Sequence, residues 1–157
     1  MPLRIGSSRP ALNGATEWLN GADPSATLSG QPALIHFWAV SCGTCKENMP
    51  KVNEWRDKYG AQGLRVVAIH MPRYEADTNL EAVKEALTTY DISEPCALDN
   101  QHQLRDAFAN EQGFVPAYYL FNAAGELKSY AAGQFGPSII RSALNRLFPE
   151  PAAVTQS

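Results

Sequence analysis

The chain is short of cysteine, of long apolar runs and of clustered charge, and each shortage excludes a class of protein. Three cysteines in 157 residues are too few to staple a small secreted fold. No stretch approaches the ~20 apolar residues of a membrane-spanning helix. The opening Met1-Pro2-Leu3-Arg4-Ile5-Gly6-Ser7-Ser8 has no apolar centre of the kind a signal peptide needs. With Met1 as the native start, the expected location is the cytoplasm; with a leader removed, it is extracytoplasmic. The formal net charge is -3 and basic residues do not run together, so neither nucleic acid nor an anionic membrane is an expected partner. Repeats and a second domain are also missing. What remains, 45% hydrophobic and 18% charged, is the composition of a globular protein with a real core. A single domain over 1–149 is expected, with an N-terminal extension at 1–30 and a flexible tail at 150–157, working as a monomer.

The apolar pattern alternates between strand-like and helix-like stretches. Trp18-Leu19 is the strong apolar pair of the Gly/Ser/Pro-rich first thirty residues and reads as an edge strand or hairpin with Trp18 packed on the core. Ala33 to Val40 is almost continuously apolar, as in a central strand covered on both faces. From Cys42 to about Lys58, Met49, Val52, Trp55 and Tyr59 form one helical face; Pro50 should kink this helix, and Gly60 and Gly63 should end it. Leu64 to Ile69 is the next strand, giving a right-handed parallel crossover. Asp77-Thr78-Asn79 can cap a helix from Leu80 to Thr89. Pro95 to Leu98 reads as a short strand and His102 to Asn110 as a short helix. Ala117 to Phe121 and Glu126 to Ala131 read as an antiparallel hairpin. A last helix begins near Pro137, with Ile139, Ile140, Ala143, Leu144 and Leu147 inward. The fold class is α/β, a central mixed sheet flanked by helices.

The chemistry lies in Cys42-Gly43-Thr44-Cys45, where the apolar strand gives way to the helix. A two-residue spacer puts both sulfurs on one face, a turn apart, so they can join with little backbone movement. Cys42 at the helix N-terminus meets unpaired N–H groups and the positive end of the dipole, which favour a thiolate, the attacking species in disulfide exchange. Cys45, a turn deeper, is shielded and suited to resolving a mixed disulfide. Gly43 leaves the approach to Cys42 open. Two other readings stand beside this one. The pair is half of a metal site in a metal-binding or metal-delivery module, needing further ligands from Cys96, His36, His70 or His102, or it is inert. A peroxiredoxin-type peroxidase fits poorly, for want of an upstream Thr/Ser-x-x-Cys arrangement.

The chain resembles the thioredoxin superfamily, and within it the TlpA/ResA-type thiol–disulfide oxidoreductases and their cytosolic YkuV-type branch. The residues that carry the likeness are Ile35-His36-Phe37-Trp38, Cys42 to Cys45, Lys46 to Pro50, Val67 to Pro72, Val115-Pro116-Ala117 and Asn122 to Glu126. The resemblance implies a thioredoxin fold with an N-terminal strand or hairpin and an inserted strand–helix element. It also implies exchange with protein substrates through Cys42 and Cys45 in the reducing direction, an upstream protein thiol donor, and no organic cofactor or metal. Pro116 matches the family's cis-proline, which would let the backbone of Val115 pair with a substrate strand; without the likeness it reads as a loop proline.

Departures from the family pattern carry information too. Ser41 replaces a common Trp and makes the rim smaller and more polar. Thr44 replaces thioredoxin's Pro and supplies an amide and a hydroxyl for the thiolate, so a potential between ~-270 and ~-120 mV is expected. Asn48 stands where relatives often carry Glu. His36 stands where thioredoxin has a buried Asp, so it is a possible proton relay to Cys45 or a core histidine bonded to a neighbour. Trp38 reads as core behind the motif or as part of the substrate-binding rim. His70, His102, Lys46 and Glu47 read as structural or solvated, and Cys96 as a small buried hydrophobe.

Overall fold

The computed structural model describes residues 3–149, so Met1, Pro2 and the expected tail at 150–157 lie outside the described residues. Strands β1 (Glu17–Leu19), β2 (Ala33–Trp38), β3 (Arg65–His70), β4 (Cys96–Leu98), β5 (Ala117–Phe121) and β6 (Leu127–Ala132) form one sheet. Its spatial order is β1-β4-β3-β2-β5-β6. β2 is parallel to β3, and β3 to β4. β5, β6 and β1 run antiparallel to their neighbours. Helices α1 (Ser25–Leu28), α2 (Gly43–Tyr59), α3 (Leu80–Thr89) and α4 (Gln103–Ala107) lie in the connections between strands, and α5 (Gly136–Leu147) follows β6. The inserted element of the sequence reading is β4 with α3 and α4.

β2 is buried along its whole length, and its period-2 alternation sends side chains into two separate cores. Leu34 and Trp38 join Val66, Ala68 and Leu98 under Met49, Val52 and Trp55 of α2 and Ile140 and Leu144 of α5. Ile35 and Phe37 enter the opposite core with Leu12, Leu28, Leu104 and Phe108. Tyr118 and Tyr119 divide between the two faces as their alternation predicts.

The N-terminal extension does more than add a strand. β1 pairs Trp18 with Ala97 on the β4 edge. Upstream, Gly6 N–H donates to Leu127 O and Leu127 N–H to Ser7 O, both at 2.8 Å, and Ser8 bridges Glu126. A single segment therefore meets both margins of the sheet, crossing between them with Leu12 1% exposed.

Gly60 and Gly63 close α2 as expected: Gly60 is its C-cap, still right-handed and opening a 3-10 turn, and Gly63, at φ 101°, ends that turn. Pro50 sits inside α2. One inward assignment on α5 differs from expectation. Ile139 is 52% exposed: the apolar stripe of α5 is centred on Ile140, Ala143 and Leu144, and a residue one step earlier turns about 100° away. Gly136 opens α5 because a Cβ there would lie 2.9 Å from the Tyr118 ring.

Candidate active site

β2 ends at Trp38, and a short turn carries Ala39 to Ser41 to the head of α2. Cys42 is the N-cap of α2, extended at φ -95° and ψ 101°, and its Sγ accepts the Cys45 N–H at 3.0 Å. That bond answers one of the orphan amides of the first turn. The two cysteines are joined in a disulfide with Cα atoms 5.3 Å apart. In this oxidised state the amide on the Cys42 sulfur is that of Cys45. Nothing lies within 4 Å of a Cβ built on Gly43, so the approach over that residue is open. The expected contrast in shielding is small in this oxidised state: Cys42 is 3% exposed and Cys45 1%. Both belong to the core under α2.

The turn before Cys42 is held by three side chains from β3 and the loop after it. His70 Nε2 accepts the Val40 N–H at 3.1 Å. Ser41 Oγ donates to Asp77 Oδ2 at 2.7 Å. Arg73 Nη2 donates to Ser41 O at 2.8 Å and to Ser41 Oγ at 3.1 Å. Asp77 also accepts the Arg73 and Tyr74 amides at 2.9 and 3.3 Å. Burial works against the charge on Asp77, but these bonds and the nearby His70 outweigh it and hold its pKa below the usual carboxylate range. Burial pushes the His70 pKa down to about 4, with Asp77 acting in the opposite sense. The ring is therefore neutral at pH 7. Its Nε2 is an acceptor, so the proton sits on Nδ1, which is buried without a hydrogen-bond partner among the described residues.

His36 lies between Leu34 and Trp38 and so faces the same side of the sheet as the cysteines. Its Nε2 is 2.8 Å from Glu94 Oε2, and Arg56 Nη1 is 2.9 Å from Glu94 Oε1. Burial opposes the charge on Glu94, but His36 and then Arg56 outweigh it and keep the carboxyl below its ordinary value. An ionised carboxylate only accepts, so Nε2 donates. The structure thus supplies His36 with the neighbour that the core-histidine reading requires.

Trp38 is fully buried, with its ring edge-on to His70 at 4.8 Å. It supports the motif from beneath, and the expectation that it contacts substrate fails because it has no surface to offer. Val115 is half-buried and packs on the core that holds both cysteines. The Val115–Pro116 bond is cis, and β5, which follows it, sets Ala117 opposite Phe37 near the end of β2. Cys96 is fully buried, its thiol pushed up to about 12 by burial, as a small hydrophobe requires. Asn48 is buried and ties α2 to Gln134 O at 3.3 Å. His102 is half-buried rather than freely solvated, and its Nε2 donates to Pro72 O at 2.8 Å. A groove of about 450 Å³ between the C-terminal half of α2 and α5 is lined by Glu54, Trp55, Lys58, Tyr59, Arg141 and Asn145; it contains no sulfur and lies at the far end of α2 from the disulfide.

The sequence reading assigned no site role to Arg56, Arg73, Asp77 or Glu94. Asp77 was legible only as a helix cap, a function that Asn79 performs by accepting the Ala82 N–H at 3.1 Å. Among the described residues, no group of three or more His, Cys, Asp and Glu side chains is arranged to hold a metal ion.

A disulfide across the first turn of a helix, at the end of a central strand and beside a Val-Pro segment, is a redox arrangement. The Redoxin family profile matches residues 5–146. The chain belongs to the Redoxin family. It is 45% identical over 149 residues to the thiol-disulfide oxidoreductase YkuV of Bacillus subtilis (strain 168), covering 94% of this chain and 99% of that protein. It is 25% identical over 122 residues to the thiol-disulfide oxidoreductase ResA of the same organism, covering 78% of this chain and 64% of ResA. The solution structure of a thioredoxin-like protein in its oxidised form matches with a TM-score of 0.82 at 44% identity, covering 92% of this chain and 97% of that one. This Redoxin-family chain is a thiol–disulfide oxidoreductase of the TlpA/ResA-like kind with a thioredoxin-like fold.

Proposed function

We propose that Cys42 is the nucleophile and Cys45 the resolving thiol in the reduction of protein disulfides. The observation that carries this reading is the placement of the Cys42 sulfur at the N-cap of α2, accepting the Cys45 amide. In the reduced protein the same amide and the helix dipole favour a Cys42 thiolate. That thiolate attacks one sulfur of a substrate disulfide. A Cys42–substrate bond forms, the substrate's S–S bond breaks, and the substrate's other sulfur leaves as a thiolate that takes up a proton. Cys45, deprotonated, then attacks the Cys42 sulfur. The second substrate thiol is released and the Cys42–Cys45 disulfide forms, so two electrons have passed to the substrate. A dithiol protein donor returns the pair to its reduced form.

The backbone of Val115, half-exposed beside the core that holds the sulfurs, is suited to pairing with an extended substrate segment without reference to its side chains. The cytosol is the proposed compartment, since one redox pair and one buried thiol, with no scaffold of structural disulfides, is the usage of a reducing environment. Trapping tests the mechanism: Cys45→Ser accumulates a mixed disulfide with substrate while Cys42→Ser yields none. Mixed disulfides formed equally well by Cys42→Ser would refute the assignment. Metal analysis of the reduced protein tests the metal-module alternative, which requires stoichiometric zinc or copper.

A second reading concerns the proton on Cys45. His36 faces the cysteine side of the sheet, and Glu94 occupies its Nε2, which leaves Nδ1 for proton transfer. An unchanged pH profile of the resolution step in His36→Ala would remove the relay and leave His36 a packing residue.

A further inference from the structure

We propose that Arg73 is a positioning residue of the exchange reaction, one that locks the peptide bond entering Cys42 and sets a positive charge beside it. The inference rests on the reading that Cys42 is the nucleophile, and it adds what makes that sulfur ready to attack. The turn from β2 into α2 is closed internally by the Cys42 N–H, which donates to Ala39 O at 3.0 Å. Further support comes from outside the turn, from His70, Met71 and Arg73 at the end of β3.

The Met71 N–H donates to Trp38 O at 2.8 Å. His70 Nε2 accepts the Val40 N–H at 3.1 Å, and Arg73 Nη2 donates to Ser41 O at 2.8 Å. The peptide unit that joins Ser41 to Cys42 is therefore held at both ends, its oxygen by Arg73 and its N–H by Ala39. Fixing that plane limits how far the Cys42 side chain can swing and keeps its sulfur on the Cys45 amide. The guanidinium makes a second contact, with Nε and Nη2 reaching Ser41 Oγ at 3.2 and 3.1 Å. A planar fork that grips two oxygens of one residue has less freedom than a point contact. Arg73 is exposed, yet its side chain passes over the Tyr74 ring, 5.5 Å from the centroid, and returns to this turn.

Several titratable groups bear on Cys42. The loop after β3 brings Arg73 and Asp77, together with the exposed Tyr74 and Glu75. β3 brings His70, neutral at pH 7. α2 itself carries Lys46, whose Nζ lies 5.6 Å from the centre of the Tyr90 ring, and the exposed Glu47. Val115 and Pro116 before β5 and Gln134 before α5 bring no charge. Asp77 opposes Arg73, but from one contact further away: it accepts the Ser41 hydroxyl at 2.7 Å rather than touching the peptide, and it also accepts the Arg73 and Tyr74 amides. Arg73 therefore favours a thiolate on Cys42 and Asp77 disfavours one. The opposite signs separate this role from plain reinforcement of the loop, because loosening the turn from either side would move the sulfur in the same sense.

The test is made in the Cys45→Ser protein, where thiolate absorbance reports Cys42. The Cys96 thiol, pushed up to about 12 by burial, stays outside the titration window. Adding Arg73→Gln lowers the Cys42 ionisation constant about threefold, the size of one exposed charge. Adding Asp77→Asn instead raises it, so the two variants fall on opposite sides of the parent. Arg73→Lys, which keeps the charge without the fork, falls between Arg73→Gln and the parent. The rate of attack on bis(2-hydroxyethyl) disulfide, an uncharged probe, drops with Arg73→Gln at any pH below the thiol's pKa. An Arg73→Gln titration that matches the parent, or that moves to the same side as Asp77→Asn, overturns the proposal. An Arg73→Lys titration outside the stated interval overturns it as well. A parent Cys45→Ser protein that forms no mixed disulfide with the probe would refute the redox reading instead.

Discussion

Among the described residues, the buried carboxylates Glu94 and Asp77 make an instructive pair, one beneath the redox helix and one at its rim. Glu94 spans His36 on β2 and Arg56 on α2 at 2.8 and 2.9 Å. Asp77 spans Ser41 and the Arg73 and Tyr74 amides. The groups are chemically similar and their settings are not. Glu94 joins a helix to the sheet it packs on, with 2% of its side chain exposed. Asp77 joins one loop to another, and the loop it holds presents the attacking sulfur. Deep in the layer, a bound carboxylate holds the fold together; at the end of a strand, it sets the position and field of the reactive group.

The largest expected effect tests the deep member. Glu94→Ala leaves Arg56 and His36 without their shared partner and lowers unfolding free energy by about 3–5 kcal/mol, read by chemical denaturation. The titration of the Cys42 thiol in that variant stays where it was. If that titration moves, the division between the two carboxylates is wrong.

Next comes acid sensitivity at the rim. His70 has a folded pKa of about 4 against an ordinary 6.5, so between those values the unfolded chain binds more protons than the native one. Stability therefore falls as pH drops from about 6.5 to about 4, by about 3 kcal/mol in total. Glu94 and Asp77, whose folded pKa values are depressed, contribute stability above the ordinary carboxylate pKa, and it is lost as pH falls through their folded values. The His70 phase begins about two pH units above the carboxylate phase and meets it near pH 4 in a pH series of denaturation curves, and His70→Gln abolishes the upper part.

Asp77→Asn has a smaller effect on stability, about 1–3 kcal/mol for weakened bonds to Ser41 and the loop amides. It acts on the chemistry as well: a negative charge is removed while Arg73 keeps its bond to Ser41 O, so the Cys42 thiol ionises at lower pH, as thiolate absorbance would show. The smallest effect falls within the motif itself. Gly43→Ala meets no neighbour within 4 Å and changes stability by less than about 0.5 kcal/mol.

Local features were legible in the sequence because they depend on residues close together along the chain. The Cys42–Cys45 pair, the helix face from Met49 to Tyr59, the buried β2 and the edge position of Trp18 all follow from spacing and pattern. The carboxylate partners were not, because they depend on register. His36 meets Glu94 only once β4 lies beside β3 and β3 beside β2, and Ser41 meets Asp77 only through the loop that follows β3. Nothing local distinguishes Asp77 from a helix cap. The exposure of Ile139 was misread for a related reason: helical spacing defines a stripe but not its edges. The burial of Cys42 could not be read from its own sequence neighbourhood, since the core that covers it includes residues from α2, β5 and β6.

The segment that runs from Gly6 past Leu12 to Leu19 has a bearing on solubility. A sheet ends in rows of unpaired amides and carbonyls, an invitation to join with another chain. Here a single stretch shields the outer row of β4 and the entrance to β6, so one proteolytic cut near residue 20 would unmask both at once. A nicked protein would keep its sulfur pair yet gather into oligomers, and the integrity of this belt, rather than of the redox helix, would set how long the molecule survives in solution.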